Sequence, residues 1–148
     1  MRALVQRVKE ASVTIDGGIV GQIGKGMLIL LGVKNGDTKA EAEFLADKCL
    51  GLRIFTDSEG KMNLSSEDVG GEFLVVSQFT LYGNAQKGKR PSYIDAAPPE
   101  ISEPLYEYFV ERLKSCGRKV GTGRFGADMQ VSLVNDGPVT LMIEKERA

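Results

Sequence analysis

The stretch Met27-Leu28-Ile29-Leu30-Leu31-Gly32-Val33 carries no polar side chain at any position. A strand that faces water on one side alternates apolar and polar residues. An unbroken apolar run of this length, set off by Gly26, therefore reads as a strand covered on both faces, and it is expected to be the central one. Its surroundings fit that role. Met1–Ile15 alternates loosely through Leu4, Val8, Val13 and Ile15, Asp16-Gly17-Gly18 tolerates positive φ, and Ile19–Gly24 returns as the second arm of a hairpin.

Helical spacing begins after the central run. Thr38 with Glu41 three residues on has the pattern of a capping box, and Phe44, Leu45, Lys48, Cys49 and Leu52 continue at helical intervals. This predicts a helix over Lys39–Leu50. Arg53–Thr56 reads as a short strand closed by Asp57-Ser58-Glu59-Gly60, a polar loop follows, and Glu72–Thr80 reads as a strong strand. Gly83–Pro99 is a long loop holding three cations. Pro98-Pro99 opens a second helix whose apolar face is Ile101, Leu105, Tyr108, Phe109, Leu113 and Cys116, with Gly117 ending it. In Lys119–Lys145, two strands are expected around a tight turn at Asn135-Asp136-Gly137-Pro138. The fold class is α+β, a single domain over residues 1–148 with a mainly β core of barrel-like packed sheets and two helices.

Composition narrows the chemistry. The chain has 148 residues, two cysteines and no histidine, which excludes Ser-His-Asp, Cys-His and zinc-His sites, and two cysteines cannot build a four-cysteine zinc site. No metal or cofactor is expected. Cys49 and Cys116 both fall at helical apolar spacing and read as core residues of a reduced, cytoplasmic protein. No apolar run approaches the ~20 residues of a membrane span, so neither secretion nor membrane insertion is expected. The net charge of −1 argues against broad attraction to nucleic acid but leaves room for a local basic patch.

Three segments could carry chemistry. Ser77-Gln78-Phe79-Thr80-Leu81-Tyr82-Gly83 puts hydroxyl and amide groups at the end of a strand, where they can face a substrate or simply satisfy a turn. Asn135-Asp136-Gly137-Pro138-Val139-Thr140 is either a plain hairpin turn or, with a cis Gly-Pro bond, a rigid pair of carbonyl acceptors. Lys87-Gly88-Lys89-Arg90-Pro91 suits a phosphate backbone, though a solvated charge run looks the same. Gly121-Thr122-Gly123-Arg124-Phe125-Gly126 lacks the lysine and the Ser/Thr of a nucleotide-binding P-loop, so nucleotide hydrolysis is weakly supported.

Taken together, SQFTLYG (Ser77–Gly83), KGKRPSY (Lys87–Tyr93), AAPPE (Ala96–Glu100), TGRFGADMQV (Thr122–Val131) and NDGPVT (Asn135–Thr140) closely resemble the D-aminoacyl-tRNA deacylase family in sequence, order and spacing. The likeness runs from MRALVQRV to the last strand. It implies a homodimer that cleaves the ester of D-aminoacyl-tRNA or glycyl-tRNA, with aminoacyl-tRNA as its partner and neither DNA nor membrane. It further implies that Gly137-Pro138 is cis and reaches into the partner subunit's site to reject L-amino acids, and that the terminal 2′-hydroxyl of the RNA helps activate water. Ser77, Gln78, Phe79 and Thr80 are then the catalytic segment, with Phe79 and Thr80 N–H groups holding the ester carbonyl. Phe125 and Met129 match adenosine-pocket positions, though both could be core, and Lys87, Lys89 and Arg90 would meet tRNA phosphates. Asn84-Ala85-Gln86 departs from the family pattern, in which an aspartate and an arginine are common here. Two other readings remain at this point: a nonenzymatic RNA-binding module, and a general esterase using Thr80 as nucleophile.

Overall fold

In the computed structural model, which describes residues 1–147, the chain order is β1 (Arg2–Ile15), β2 (Gly18–Ile23), β3 (Gly26–Gly32), α1 (Lys39–Gly51), β4 (Phe55–Thr56), β5 (Met62–Leu64), α2 (Ser66–Val69) and β6 (Glu72–Ser77). A 3₁₀ turn (Phe79–Tyr82), α3 (Pro99–Ser115), β7 (Val120–Thr122) and β8 (Gln130–Glu144) complete it. The main sheet runs β2-β1-β3-β6-β7, and β8 pairs with the other edge of β1. β3 is the middle of that path, as its apolar run predicts. It pairs antiparallel with β1 and parallel with β6, and α1 and α3 lie in the β3–β6 and β6–β7 crossovers.

The two faces of β3 serve two cores. Met27, Ile29 and Leu31 pack with Ala3, Val5, Phe73, Val75 and the inner sides of α1 and α3, whereas Leu28 joins Val8, Ala11, Val13, Ile23, Leu74 and Val76 on the opposite face. The second core lies inside the curl of the sheet, closed by Met129, Val131 and Leu133. Gly21 lies against the backbone of Thr122, so β2 nearly meets β7 and the sheet is close to a barrel. At Gly26 the β3 and β6 backbones approach so closely that any side chain would strike Glu72 main-chain atoms.

Local signals explain the helices. Thr38 and Glu41 make the expected reciprocal capping box, and Ser65 with Asp68 makes a second one that starts the unanticipated α2. α3 begins at Pro99, and Gly117 follows it at φ +78°. No helix among the described residues is long and apolar enough to cross a membrane.

Several expectations change. The strand expected to reach Thr80 ends at Ser77, because the chain turns into the 3₁₀ turn. The two expected C-terminal strands are one strand, β8, which pairs with the 14-residue β1 on both sides of the Gly-Pro segment. Phe44, Ile101 and Cys116 are exposed rather than core, while Cys49 is buried. Phe44 lies beneath the ammonium groups of Lys145 and Lys48, 4.9 and 5.8 Å from its centroid. Cys116 sits past the last turn of α3, where the helical stripe no longer points inward.

Candidate active site

A cavity of about 530 Å³ opens where the parallel strands β3 and β6 end. Such strand ends leave a crevice that crossover connections line rather than fill. Members of both cores reach its wall: Leu31 and Phe125 from one, Val76 and Met129 from the other. Ser77, Gln78 and Phe79 complete that side, and Ala97, Ser102 and Tyr106 come from α3 and the loop before it. No Asp, Glu, Lys, Arg or Cys lines the cavity.

The Ser77–Tyr82 backbone is shaped by a change of hydrogen-bond partner. Gln78 N–H donates to Leu31 O at 2.8 Å, the last link to β3, and Gln78 then turns at φ −145°, ψ 77°. Leu81 N–H bonds back to Gln78 O at 3.2 Å and Gly83 N–H to Thr80 O at 2.9 Å. The Phe79 and Thr80 N–H groups, at the start of that turn, have no protein acceptor among the described residues, and Gln78 provides no side-chain cap. Its amide instead donates to Thr80 Oγ1. Thr80 is exposed and does not line the cavity. Phe79 is 56% exposed and meets the Tyr93 ring edge-on at 5.3 Å.

The opposite wall is held by Tyr106, whose hydroxyl donates to Val75 O at 2.7 Å and whose ring leans on Phe125 at 6.0 Å. Burial raises the phenol above its ordinary pKa, which keeps it a donor. Phe125 and Met129, which the resemblance assigns to an adenosine pocket, both line the cavity while also belonging to the core margins.

Gly137 and Pro138 do not line this cavity. Between the pairs Gln6↔Thr140 and Val8↔Asn135, β1 advances two residues while β8 advances five, so Asp136–Val139 project from the sheet as a bulge. The Gly137–Pro138 peptide is cis, and both residues are exposed. Gly137 has φ +123°, a conformation that excludes other residues. Asn135 staples the projection, its Nδ2 donating to Thr140 Oγ1 at 2.8 Å and its Oδ1 accepting from Val139 N–H at 3.3 Å. Arg7 braces its root, with Nε donating to Asp136 O at 3.0 Å and Nη1 to Ile54 O at 2.8 Å.

Lys87, Lys89 and Arg90 are exposed and stand outside the cavity wall. They occupy the tip of a finger closed by Asn84 and Ser92, whose N–H and carbonyl groups bond reciprocally at 2.7 and 2.8 Å. Tyr93, at the finger's base, is part of the cavity rim.

A family model described as D-Tyr-tRNA(Tyr) deacylase matches residues 4–144. The chain belongs to the D-Tyr-tRNA(Tyr) deacylase family. Among relatives of this deacylase, the protein named D-aminoacyl-tRNA deacylase from Roseiflexus castenholzii is 61% identical over 144 residues, covering 97% of this chain and 92% of its own. The protein of that name from Desulfatibacillum aliphaticivorans is 61% identical over 146 residues, covering 99% and 100%. A solved structure called c-Myc DNA Unwinding Element Binding Protein superposes with TM-score 0.93 at 43% identity, covering 99% of this chain and 100% of that one. A probable eukaryotic D-amino acid tRNA deacylase shares the fold, with TM-score 0.79 at 18% identity over 96% and 97%.

Two cavity-lining residues, Tyr106 and Ser102, and the Arg7 brace escaped the sequence. Tyr106 and Ser102 look like ordinary helix residues, and Arg7 looks like an outward-facing strand residue. No local pattern marks Tyr106 or Arg7, because each acts on a segment distant in the chain, and Ser102 bonds only within its own helix start, to Pro98 O.

Proposed function

We propose that the hydrolysis of D-aminoacyl-tRNA, the reaction of this family, takes place at the Phe79 end of the cavity, with the terminal adenosine between Phe125 and Met129 and the ester at the Phe79-Thr80 backbone. The observation that carries this reading is a cavity without a charged side chain beside two N–H groups that have no acceptor among the described residues. Those groups suit a developing oxyanion, and one such donor is worth roughly 2.7–4 kcal/mol in known cases. Ser77 and Gln78 orient the amino acid and the adenosine.

In the proposed step the RNA's 2′-hydroxyl assists a water molecule that attacks the ester carbonyl. The tetrahedral intermediate collapses with cleavage of the bond to the 3′ oxygen, which takes a proton, and free amino acid and tRNA leave. Thr80 ranks below this as nucleophile, since its hydroxyl accepts from Gln78 and has no base beside it. The protein acts as a homodimer in which the Gly137-Pro138 projection of one subunit enters the other's site and excludes L-amino acids. Glycyl-tRNA, which has no side chain to exclude, is accepted as well. Lys87, Lys89 and Arg90 hold tRNA phosphates, and the need for a terminal 2′-hydroxyl, which DNA lacks, argues for RNA as the nucleic-acid partner.

Hydrolysis of D- and L-tyrosyl-tRNA, repeated with a terminal 2′-deoxyadenosine, tests the reading. D-selective cleavage that drops by about 10²–10⁴ without the 2′-hydroxyl is expected, the usual range for a lost acid–base contribution. Equal cleavage of the deoxy substrate overturns the RNA-assisted step and restores the Thr80 esterase. Binding of tRNA without hydrolysis leaves a binding module.

A further inference from the structure

Arg124 stands in the turn that forms one lip of the cavity. Its carbonyl accepts from Ala127 N–H at 3.2 Å, and the residues that follow it, Phe125, Gly126 and Ala127, all line the wall. The side chain is exposed and enters no ion pair among the described residues, not even with the exposed Asp128 nearby. Most arginines here are engaged elsewhere: Arg2, Arg7 and Arg112 in ion pairs, Arg53 and Arg118 on backbone carbonyls. The Phe79–Tyr93 pair forms another part of the rim, and Tyr93 stands at the base of the finger that carries Lys87, Lys89 and Arg90.

A single opening therefore has one unpaired cation at its edge and three more on the finger that rises from its rim, while the interior has none. That charge pattern suits a ligand with a neutral aromatic head and an anionic tail. The head fills the cavity, and the first anion it trails meets the lip before the rest pass toward the finger. Guanidinium is the group best suited to that first contact, because its planar donors engage phosphate oxygens two at a time.

We propose that Arg124 binds the phosphate immediately 5′ of the terminal nucleoside and so sets the direction in which the RNA strand leaves the cavity, last phosphate on Arg124 and upstream phosphates on the finger. This rests on the reading that the cavity takes the terminal adenosine. It assigns the TGRF arginine a ligand role distinct from that of the finger: Arg124 reads one fixed phosphate, whereas the finger adds charge that several registers of backbone can use.

The test compares adenosine and adenosine 5′-monophosphate as competitive inhibitors of D-tyrosyl-tRNA hydrolysis by the wild-type protein, R124A and R124K. The wild type should bind the monophosphate about tenfold more tightly than adenosine, or ~1.4 kcal/mol. In R124A that ratio should fall to about one while adenosine inhibits as before, and R124K should recover part of it. The log–log salt slope of KM should become shallower by about 0.7, the loss of one single-strand phosphate contact. An undiminished ratio in R124A overturns the inference, as does a loss of adenosine inhibition in step with the monophosphate. If both compounds compete equally in the wild type, only the Arg124 assignment fails. If neither competes, the adenosine reading of the cavity fails and this assignment with it.

Discussion

Replacing Arg7 by methionine keeps an unbranched side chain of similar length but removes every polar contact that Arg7 makes at the root of the Gly137-Pro138 projection. Arg7 is 9% exposed and donates to Asp136 O, Ile54 O and, at 3.3 Å, Thr56 Oγ1, with its Nε 3.6 Å from Asp136 Oδ2. Hydrogen bonds from a charged donor contribute about 1.5–3 kcal/mol each, and the buried Ile54 carbonyl would be left without its guanidinium donor. Asp136 is half-buried and water can replace part of its loss, while freeing the fold from desolvating a guanidinium offsets more. The balance is a destabilisation of about 3 kcal/mol, or a fall in Tm of about 6–12 °C for a chain of this size. Urea unfolding of wild type and R7M at equal m-value, with calorimetry alongside, measures it. A loss below about 1 kcal/mol would refute the brace. If the projection rejects L-amino acids as proposed, R7M should also raise L-tyrosyl-tRNA hydrolysis relative to D, measured at a temperature where the variant is fully folded.

Four further outcomes are expected. Gly26→Ala drives a methyl group into the Glu72 main chain, which cannot swing aside, and should cost about 3 kcal/mol in urea unfolding, whereas a cost under 1 kcal/mol would contradict the close approach. In the native protein an aromatic disulfide reagent should titrate one thiol, exposed Cys116, because burial pushes Cys49 up to about 12; two fast-reacting thiols would refute the burial. Since only tyrosines among the cavity-lining residues can titrate, kcat should show no bell between pH 6 and 9, and a bell there would point to a protein acid or base. The buried Tyr82 and Tyr106 phenols are held above the ordinary value near 10. They bind their protons more tightly folded than unfolded, so their contribution to stability is full below about pH 10 and is lost above it.

Legibility followed the range of the cause. The two-sided burial of Met27–Val33 and the Thr38–Glu41 cap are written in neighbouring residues, and both were readable. Ser65 and Asp68 also announce α2, a signal of the same kind that a polar loop concealed. The continuity of β8 was not readable, because Gly-Pro is a turn signal and only pairing with the long β1 on both sides of it, remote in sequence, overrides it. Phe44 illustrates a different limit: helical spacing locates a stripe but not which edge of it stays wet under lysines. Within the site, Ser77–Phe79 was marked by its strand end and Phe125 with Met129 by the family likeness, whereas Tyr106 and Arg7 act across the fold.

Because the two rows of side chains on β3 belong to different interiors, a one-residue slip of that strand would exchange their contents, sending Leu28 and Leu30 toward the helices and Ile29 and Leu31 into the curl of the sheet. Edge strands can creep at modest cost. This central strand cannot, and Leu31 near its end, with Val33 just beyond it, forms part of the cavity wall. The cavity is thus anchored to the segment with the least freedom to move. Tuning its shape falls instead to the 3₁₀ turn and the base of the finger, which can vary without disturbing either interior.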